Sequence, residues 1–282
     1  MRNFKLIRLG ILLTIFFALS LPQIASAATE VEKLVAQKAA TIERLHFKAK
    51  KALVTAAQDK TFDHYFHAHT HAERSKFKPR IDQISLAVQS RFHVEEMCLI
   101  NPQGAEISRI VGREIADDLA DDETGAIFFA PGFAKPARKV HISPIYMSVD
   151  ANKWVNAYVT PVIVDGDKKA ILHYEHTLRS FQDALNRGMD RQEGIVLVAI
   201  DADGFVVSDS RKTINIDKKG ESEDRADYFD RFDLSGRNLA AVRNAMIGDN
   251  RQGSGILSAG GATYSVAYQK VEDWTILAFK AR

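Results

Sequence analysis

Residues 140–178 read VHISPIYMSVDANKWVNAYVTPVIVDGDKKAILHYEHTL, and their punctuation decides the fold. Two polar breaks, Asp150-Ala151-Asn152 and Asp165-Gly166-Asp167, divide three runs rich in β-branched and aromatic residues. Such breaks between such runs predict an antiparallel meander. Side chains alternate across a strand. In the middle run Trp154, Asn156, Tyr158 and Thr160 therefore share one face, and Val155, Ala157 and Val159 share the other. The uniformly apolar set is expected to pack on a helix. The aromatic, part-polar set suits the wall of a small-molecule pocket, or equally the solvated side of a plain sheet. In the last run His173 and Glu175 share a face, with Leu172 and Tyr174 opposite.

The chain begins quite differently. Residues 1–27 combine a basic start (Arg2, Lys5, Arg8), an apolar run from Ile11 to Leu21, the helix breaker Pro22 and the small-residue site Ala25-Ser26-Ala27. This pattern predicts a secretory signal peptide cut after Ala27, and hence a periplasmic protein. An uncleaved anchor is the alternative. The apolar run is shorter than the roughly 20 residues that span a bilayer. Losing three basic and no acidic residues takes the net charge from +2 to −1. That balance argues against a nucleic-acid partner. The single cysteine, Cys98, cannot form an internal disulfide and lies in an apolar run, which favours a buried, inert thiol.

Residues 29–58 lack Gly and Pro, and Val31, Val35, Ala39, Ile42 and Leu45 recur at helical spacing behind a Thr29–Glu32 capping box. A second helical run follows Pro79, over residues 80–92. From Val94 the pattern turns to strand. Met97 to Ile100, the turn Asn101-Pro102-Gln103-Gly104, and Ala105 to Ser108 predict a hairpin. Residues 197–208 repeat it without a gap, Ile200 matching Ile100 and Gly204 matching Gly104. Ala267-Tyr268 echoes Ala157-Tyr158, and Thr275-Ile276-Leu277 echoes Ala170-Ile171-Leu172. Three echoes in one order indicate a duplicated sheet unit. A short helix over residues 180–187, capped by Ser180 and stopped by Gly188, is expected to join the units, and another is expected over residues 234–247.

The expected fold is α+β. The expected divisions are a leader (1–27), an N-terminal helical region packing along both units (28–93), a first unit (94–190) and a second (191–282).

The chemistry-bearing residues are sparse. His64, His67, His69 and His71 form the conspicuous polar cluster. They are read either as a solvated segment between helices or as a site for zinc, copper or haem. No nucleophile elbow, zinc-protease helix or phosphate-binding glycine loop occurs, so no enzyme and no cofactor are expected.

A long N-terminal helix followed by two tandem PAS-like sheet units resembles the double Cache sensor domains of bacteria. Its most specific stretches are HISPIYMSVDANKWVNAYVTPV, AILHYEHTLRSFQDAL and AYQKVEDWTILAF. The resemblance implies an extracytoplasmic ligand-binding domain with the ligand in the first unit, between the sheet and the loops crossing it. Glu175 falls where amino-acid-binding members carry an acid. Their Arg-x-Trp-Tyr segment is absent, replaced by Phe128, Phe129, Phe133, Lys135 and Arg138. An anionic metabolite held by Lys135 or Arg138 is one expectation. Arg138, Tyr146, Trp154, Tyr158, His173 and Glu175 are the expected ligand residues. With the last strand reaching the final residues, the signal is expected to pass to a separate membrane histidine kinase or chemoreceptor. A homodimer is a further expected assembly.

Overall fold

The computed structural model describes residues 6–92, 94–217, 222–232, 250–259 and 261–282. It opens with the helices α1 (Leu6–Ala56), α2 (Lys60–His67), α3 (His71–Ser75) and α4 (Lys78–Gln89). The strands β1 (Val94–Ile100), β2 (Glu106–Val111) and β3 (Glu114–Ile115) follow, then α5 (Phe129–Ala134). Next come β4 (His141–Ile142), β5 (Tyr146–Ser148), β6 (Lys153–Val164), β7 (Asp167–Thr177) and α6 (Leu178–Asn186). The second set is β8 (Ile195–Ile200), β9 (Val206–Asp209), β10 (Gln252–Ala259), β11 (Ala262–Val271) and β12 (Trp274–Ala281). The helix expected over residues 234–247 lies outside the described residues.

The helix α1 runs without interruption through Pro22 and Thr29. A start at Thr29 is therefore not what the chain adopts. A capping box serves amides without a partner, and a helix already running from Leu6 leaves none at Thr29. Likewise α6 begins at Leu178, directly behind β7, so Ser180 lies inside it rather than at its cap. Among the described residues no helix is long and apolar enough to cross a membrane.

The architecture is α+β, with two antiparallel sheets built on one plan. The first has strand order β3-β2-β1-β7-β6-β4, with β5 also on β6, and the second has β10-β11-β12-β8-β9. In each, the strand that opens the hairpin lies beside the strand that closes the meander. The hairpins share even their irregularity. Leu99 pairs Ser108 and Ile100 pairs Glu106, just as Ala199 pairs Ser208 and Ile200 pairs Val206. Gly104 and Gly204 take φ of 90° and 86°, and the Asn101 and Asp201 side chains accept amide hydrogen bonds across their turns. The meander echo lies one residue out of the expected alignment. Leu99 pairs Leu172 and Ala199 pairs Ile276, so Leu172 corresponds to Ile276 rather than Leu277. Both strands are buried on both faces, so their apolar runs carry no alternation that would betray a slip of one.

Two units result, each described by itself. One comprises Ile42–Asp183 with Asn215–Tyr228 and holds the first sheet. The other comprises Met1–Thr41, Ala184–Ile214 and Phe229–Arg282 and holds the second. In the second-sheet unit Val31, Leu34, Val35 and Ala39 of α1 are buried, and Lys38 Nζ donates to the Arg187 carbonyl at 2.7 Å.

In the first-sheet unit a helical stripe of Ile42, His46, Ala49 and Leu53 is buried. His46 Nδ1 lies 2.6 Å from the Tyr158 hydroxyl, and its ring lies 5.2 Å from that of Phe181. Tyr158 therefore faces the helix, and Tyr174 stacks on it at 5.0 Å. The opposite sheet face meets α5, where a Cβ on Gly132 would come within 2.4 Å of Val159. The apolar face of β6 thus packs on a helix as expected, but the aromatic face packs on α1 rather than walling a pocket. The Asp165-Gly166 turn takes φ of 53° and 85°, the doubly positive geometry of a two-residue hairpin loop. Counting out from it, Val164 pairs Asp167 and Ile163 pairs Lys168, and an unbroken ladder would set Tyr158 opposite His173. Instead Val162 pairs Ala170, which leaves Lys169 as an extra residue on β7. From there on Val159 stands opposite His173, and Ala157 stands opposite Glu175. One bulged residue thus exchanges the face that β6 shares with them.

Candidate functional site

On the α5 side of the first sheet lies a cavity of about 470 Å³. Its floor comes from alternate residues of neighbouring strands: Glu96 and Cys98 on β1, Glu106 on β2, and His173 and Glu175 on β7. Tyr146 on β5 closes one side, and Phe128, just before α5, closes another. The hairpin pairings set this arrangement, since Cys98 stands directly opposite His173 across β1 and β7. Phe128 stacks on His173 with ring centroids 3.8 Å apart.

Glu175 is 2% exposed and His173 is 1% exposed. The Tyr146 hydroxyl donates to Glu175 Oε1 at 2.7 Å and lies 3.4 Å from His173 Nε2. Glu175 Oε2 and His173 Nδ1 are buried with no hydrogen-bond partner of good geometry. Burial drives the Glu175 carboxyl well above the usual carboxylate range; the Tyr146 and Ser148 hydroxyls draw it back, while Asp150 and Glu95 push it up. Glu96 is raised for the same first reason, then by Glu175 and Asp150, with Arg109 opposing. Burial takes His173 the other way, down to about 3, so its imidazole is neutral at physiological pH.

Arg109 is the buried cation beside this floor. Its Nε lies 2.9 Å from Glu96 Oε1, it pairs with Asp150, and its Nη1 donates to the Asp118 carbonyl at 2.8 Å. Cys98 Sγ donates to Glu96 Oε1 at 3.3 Å, and burial pushes the thiol well above its ordinary pKa. Cys98 is buried, as expected.

Three expected ligand residues, Tyr146, His173 and Glu175, thus come together here, and three do not. Tyr158 lies on the helix face with His46. Trp154 is fully buried, its ring 5.2 Å from Tyr228 and its amide donating to the Ile216 carbonyl at 2.9 Å. Both were expected on the cavity face, and the Lys169 bulge puts them on the other. Arg138, at φ 62°, lines a different hollow with Phe62, Thr160 and Pro161. Lys135 ends α5 and is not among the residues around the cavity either.

The sequence reading passed over Glu96, Glu106, Glu123 and Asp150, which line the cavity, and Arg109 beside it. One signal was present: Val94 to Ile100 is a strand whose Glu96 shares a face with Cys98 and Ile100, an acid on an apolar stripe.

The histidine cluster is dispersed. His67 Nε2 pairs with Asp165 at 2.6 Å, His64 stacks on Phe77 at 5.7 Å, and His71 Nδ1 lies 3.4 Å from Ser75 Oγ. Among the described residues, the one group whose three donor atoms lie within 4.8 Å of one another is Glu96, Cys98 and Glu106.

No family model and no curated protein matches the sequence. Solved structures do match its fold. The sensory domain of the Campylobacter jejuni chemoreceptor Tlp3 with isoleucine bound superposes with a TM-score of 0.68 at 13% identity, over 92% of this chain and 94% of that one. The extracellular domain of the putative histidine kinase vpHK1S-Z8 gives 0.67 at 11% identity, over 92% and 94%. A domain of a putative sensory box/GGDEF family protein from Vibrio parahaemolyticus gives 0.66 at 12% identity, over 92% and 97%. The chain therefore has the fold of these sensory domains, the tandem arrangement its sequence resembles.

Proposed function

We propose that this chain is a ligand-sensing module that binds a small molecule in the first-sheet cavity and reports to a separate membrane protein, a histidine kinase or a chemoreceptor. The observation that carries the reading is Glu175. A buried carboxylate oxygen with no partner of good geometry costs stability unless something supplies a donor. Here it opens on a cavity of about 470 Å³, within the size range of small-molecule sites. The isoleucine complex of Tlp3 supports the reading by analogy of fold. The leader pattern of residues 1–27 supports export and a periplasmic site of action. On this reading the module acts by binding.

The test is a thermal-shift screen of the full chain against small molecules of varied charge. A ligand raises the melting temperature by mass action, and Glu175→Ala is expected to weaken it by roughly 1.5–3 kcal/mol, the worth of a hydrogen bond to a charged group. Tyr268→Phe, in the other unit, leaves it unchanged. A ligand indifferent to Glu175 and lost on changes around Tyr268 would place the site in the other unit.

A further inference from the structure

The charges around the cavity select a class of ligand, an inference that rests on the sensing function proposed above. We propose that the cavity binds an organic ammonium ion that carries no carboxylate, with the ammonium on Glu175 and the carbon skeleton against Tyr146 and Phe128.

Among the described residues that line it, every charged side chain is an acid: Glu96, Glu106, Glu123, Asp150, Glu175 and Glu223. The lining histidine, His173, is neutral. Arg109 is already engaged by Glu96, Asp150 and the Asp118 carbonyl. A ligand carboxylate would therefore meet acids with no cation to receive it, which disfavours both anions and zwitterionic amino acids. An ammonium group meets the reverse. It supplies the donors that the buried Glu175 Oε2 lacks, and its charge is opposed by carboxylates on several sides. Aromatic rings at the wall suit an alkylammonium, through their apolar faces and their attraction for cations.

A metal ion fits less well. Glu96, Cys98 and Glu106 are the candidate donors, yet the Arg109 guanidinium stands 2.9 Å from Glu96 Oε1, a fixed positive charge against one of them. A cavity of about 470 Å³ is also far larger than a bare ion.

Proton linkage gives the binding a signature. Glu175 is faced by Tyr146, Ser148, Asp150, Glu95, Glu96 and His173, and Glu96 by Cys98, Glu106, Arg109, Asp150 and Glu175. Burial holds both carboxyls partly protonated above the usual range, and an ammonium favours the charged form. Binding then releases protons and tightens as pH rises.

The experiment is calorimetry and thermal shift on the full chain with putrescine, spermidine and phenethylamine, set against L-isoleucine, succinate and zinc chloride. At least one amine is expected to bind. Its affinity should rise about tenfold from about pH 6 to about pH 8, where aliphatic amines remain charged. The heat should vary with the ionisation enthalpy of the buffer, reporting proton release. Glu175→Gln, which keeps the side chain's shape, should lower the affinity about tenfold or more, with Tyr268→Phe as the unaffected control. Binding of isoleucine, succinate or zinc with no response to any amine overturns the ammonium assignment and leaves the sensing reading standing. A lack of response to this panel together with the wider screen overturns both.

Discussion

The Tyr146 hydroxyl donates to Glu175 Oε1 at 2.7 Å, and that bond favours the charged form of a carboxyl that burial disfavours. The folded pKa of Glu175 stays above its unfolded value. A carboxyl shifted in this direction contributes stability that is complete below the ordinary carboxylate range and is lost as pH rises through the folded value. Glu175→Gln removes the titration and keeps the acceptor for Tyr146. Urea unfolding at about pH 5 and about pH 8 should show the variant gaining on the natural chain by about 1–3 kcal/mol at the higher pH. Parallel pH profiles would show that Glu175 titrates as an ordinary carboxylate.

Tyr146→Phe tests the same bond from the donor's side. Without the hydroxyl, an ionised Glu175 keeps its burial and loses its one well-aligned donor. The expected cost is about 1.5–3 kcal/mol near pH 8 and less near pH 5, where the carboxyl is protonated. An equal loss at both values would assign the effect to packing against Phe128 instead.

Gly132 lets α5 lie against β6. A Cβ there would meet Val159 Cγ1 at 2.4 Å and its Cβ at 3.1 Å, so a rotamer change alone leaves a tight contact, and overpacking of this kind costs about 1–3 kcal/mol. Gly132→Ala should therefore destabilise the protein, and adding Val159→Ala should recover part of the loss. Stability that simply adds across the two changes would mean that the helix shifts freely on the sheet.

How much of this was legible follows from which signals are local. The Asp165-Gly166 turn needs φ positive at both positions, and the sequence supplies the residues that tolerate it. The paired hairpins are visible because turn residues and apolar runs recur at one offset. His173 and Glu175 stand on one face of one strand, so two-residue alternation finds them. Glu96, Glu106 and Asp150 reach the same cavity only through the pairing of β1 with β7 and the return of the chain to β5, contacts that span the whole unit. No local pattern encodes those. Thr29 shows the opposite failure, a local signal that the continuing helix overrides.

Tyr158→Phe separates the two faces of the sheet. It removes the 2.6 Å contact with His46 Nδ1 on the helix side, at an expected cost of about 0.5–1.5 kcal/mol in urea unfolding. Ligand affinity should not change, because the ring points away from the cavity. A collapse of affinity without loss of stability would put the ligand on the helix face.

Lys169 carries the sharpest test of the register. The faces of Trp154 and Tyr158 turn on a count, since an unbroken ladder from the turn would pair Tyr158 with His173. The chain has one residue more on β7 than that ladder allows, and beyond it every pair from Val162–Ala170 to Val155–Thr177 is regular. Deleting Lys169 removes the bulge and leaves those pairs as they stand, with Ala170 following Lys168 directly. The deletion also removes the 3.0 Å ion pair with Asp167, a surface contact worth about 1 kcal/mol or less. The shortened chain is therefore expected to unfold cooperatively, lose no more than about 1 kcal/mol, and keep its ligand response. Loss of cooperative unfolding would mean that the local twist of the bulge is required by the sheet. Retained folding with a lost ligand response would mean that the bulge aims His173 and Glu175 as well as setting their partners.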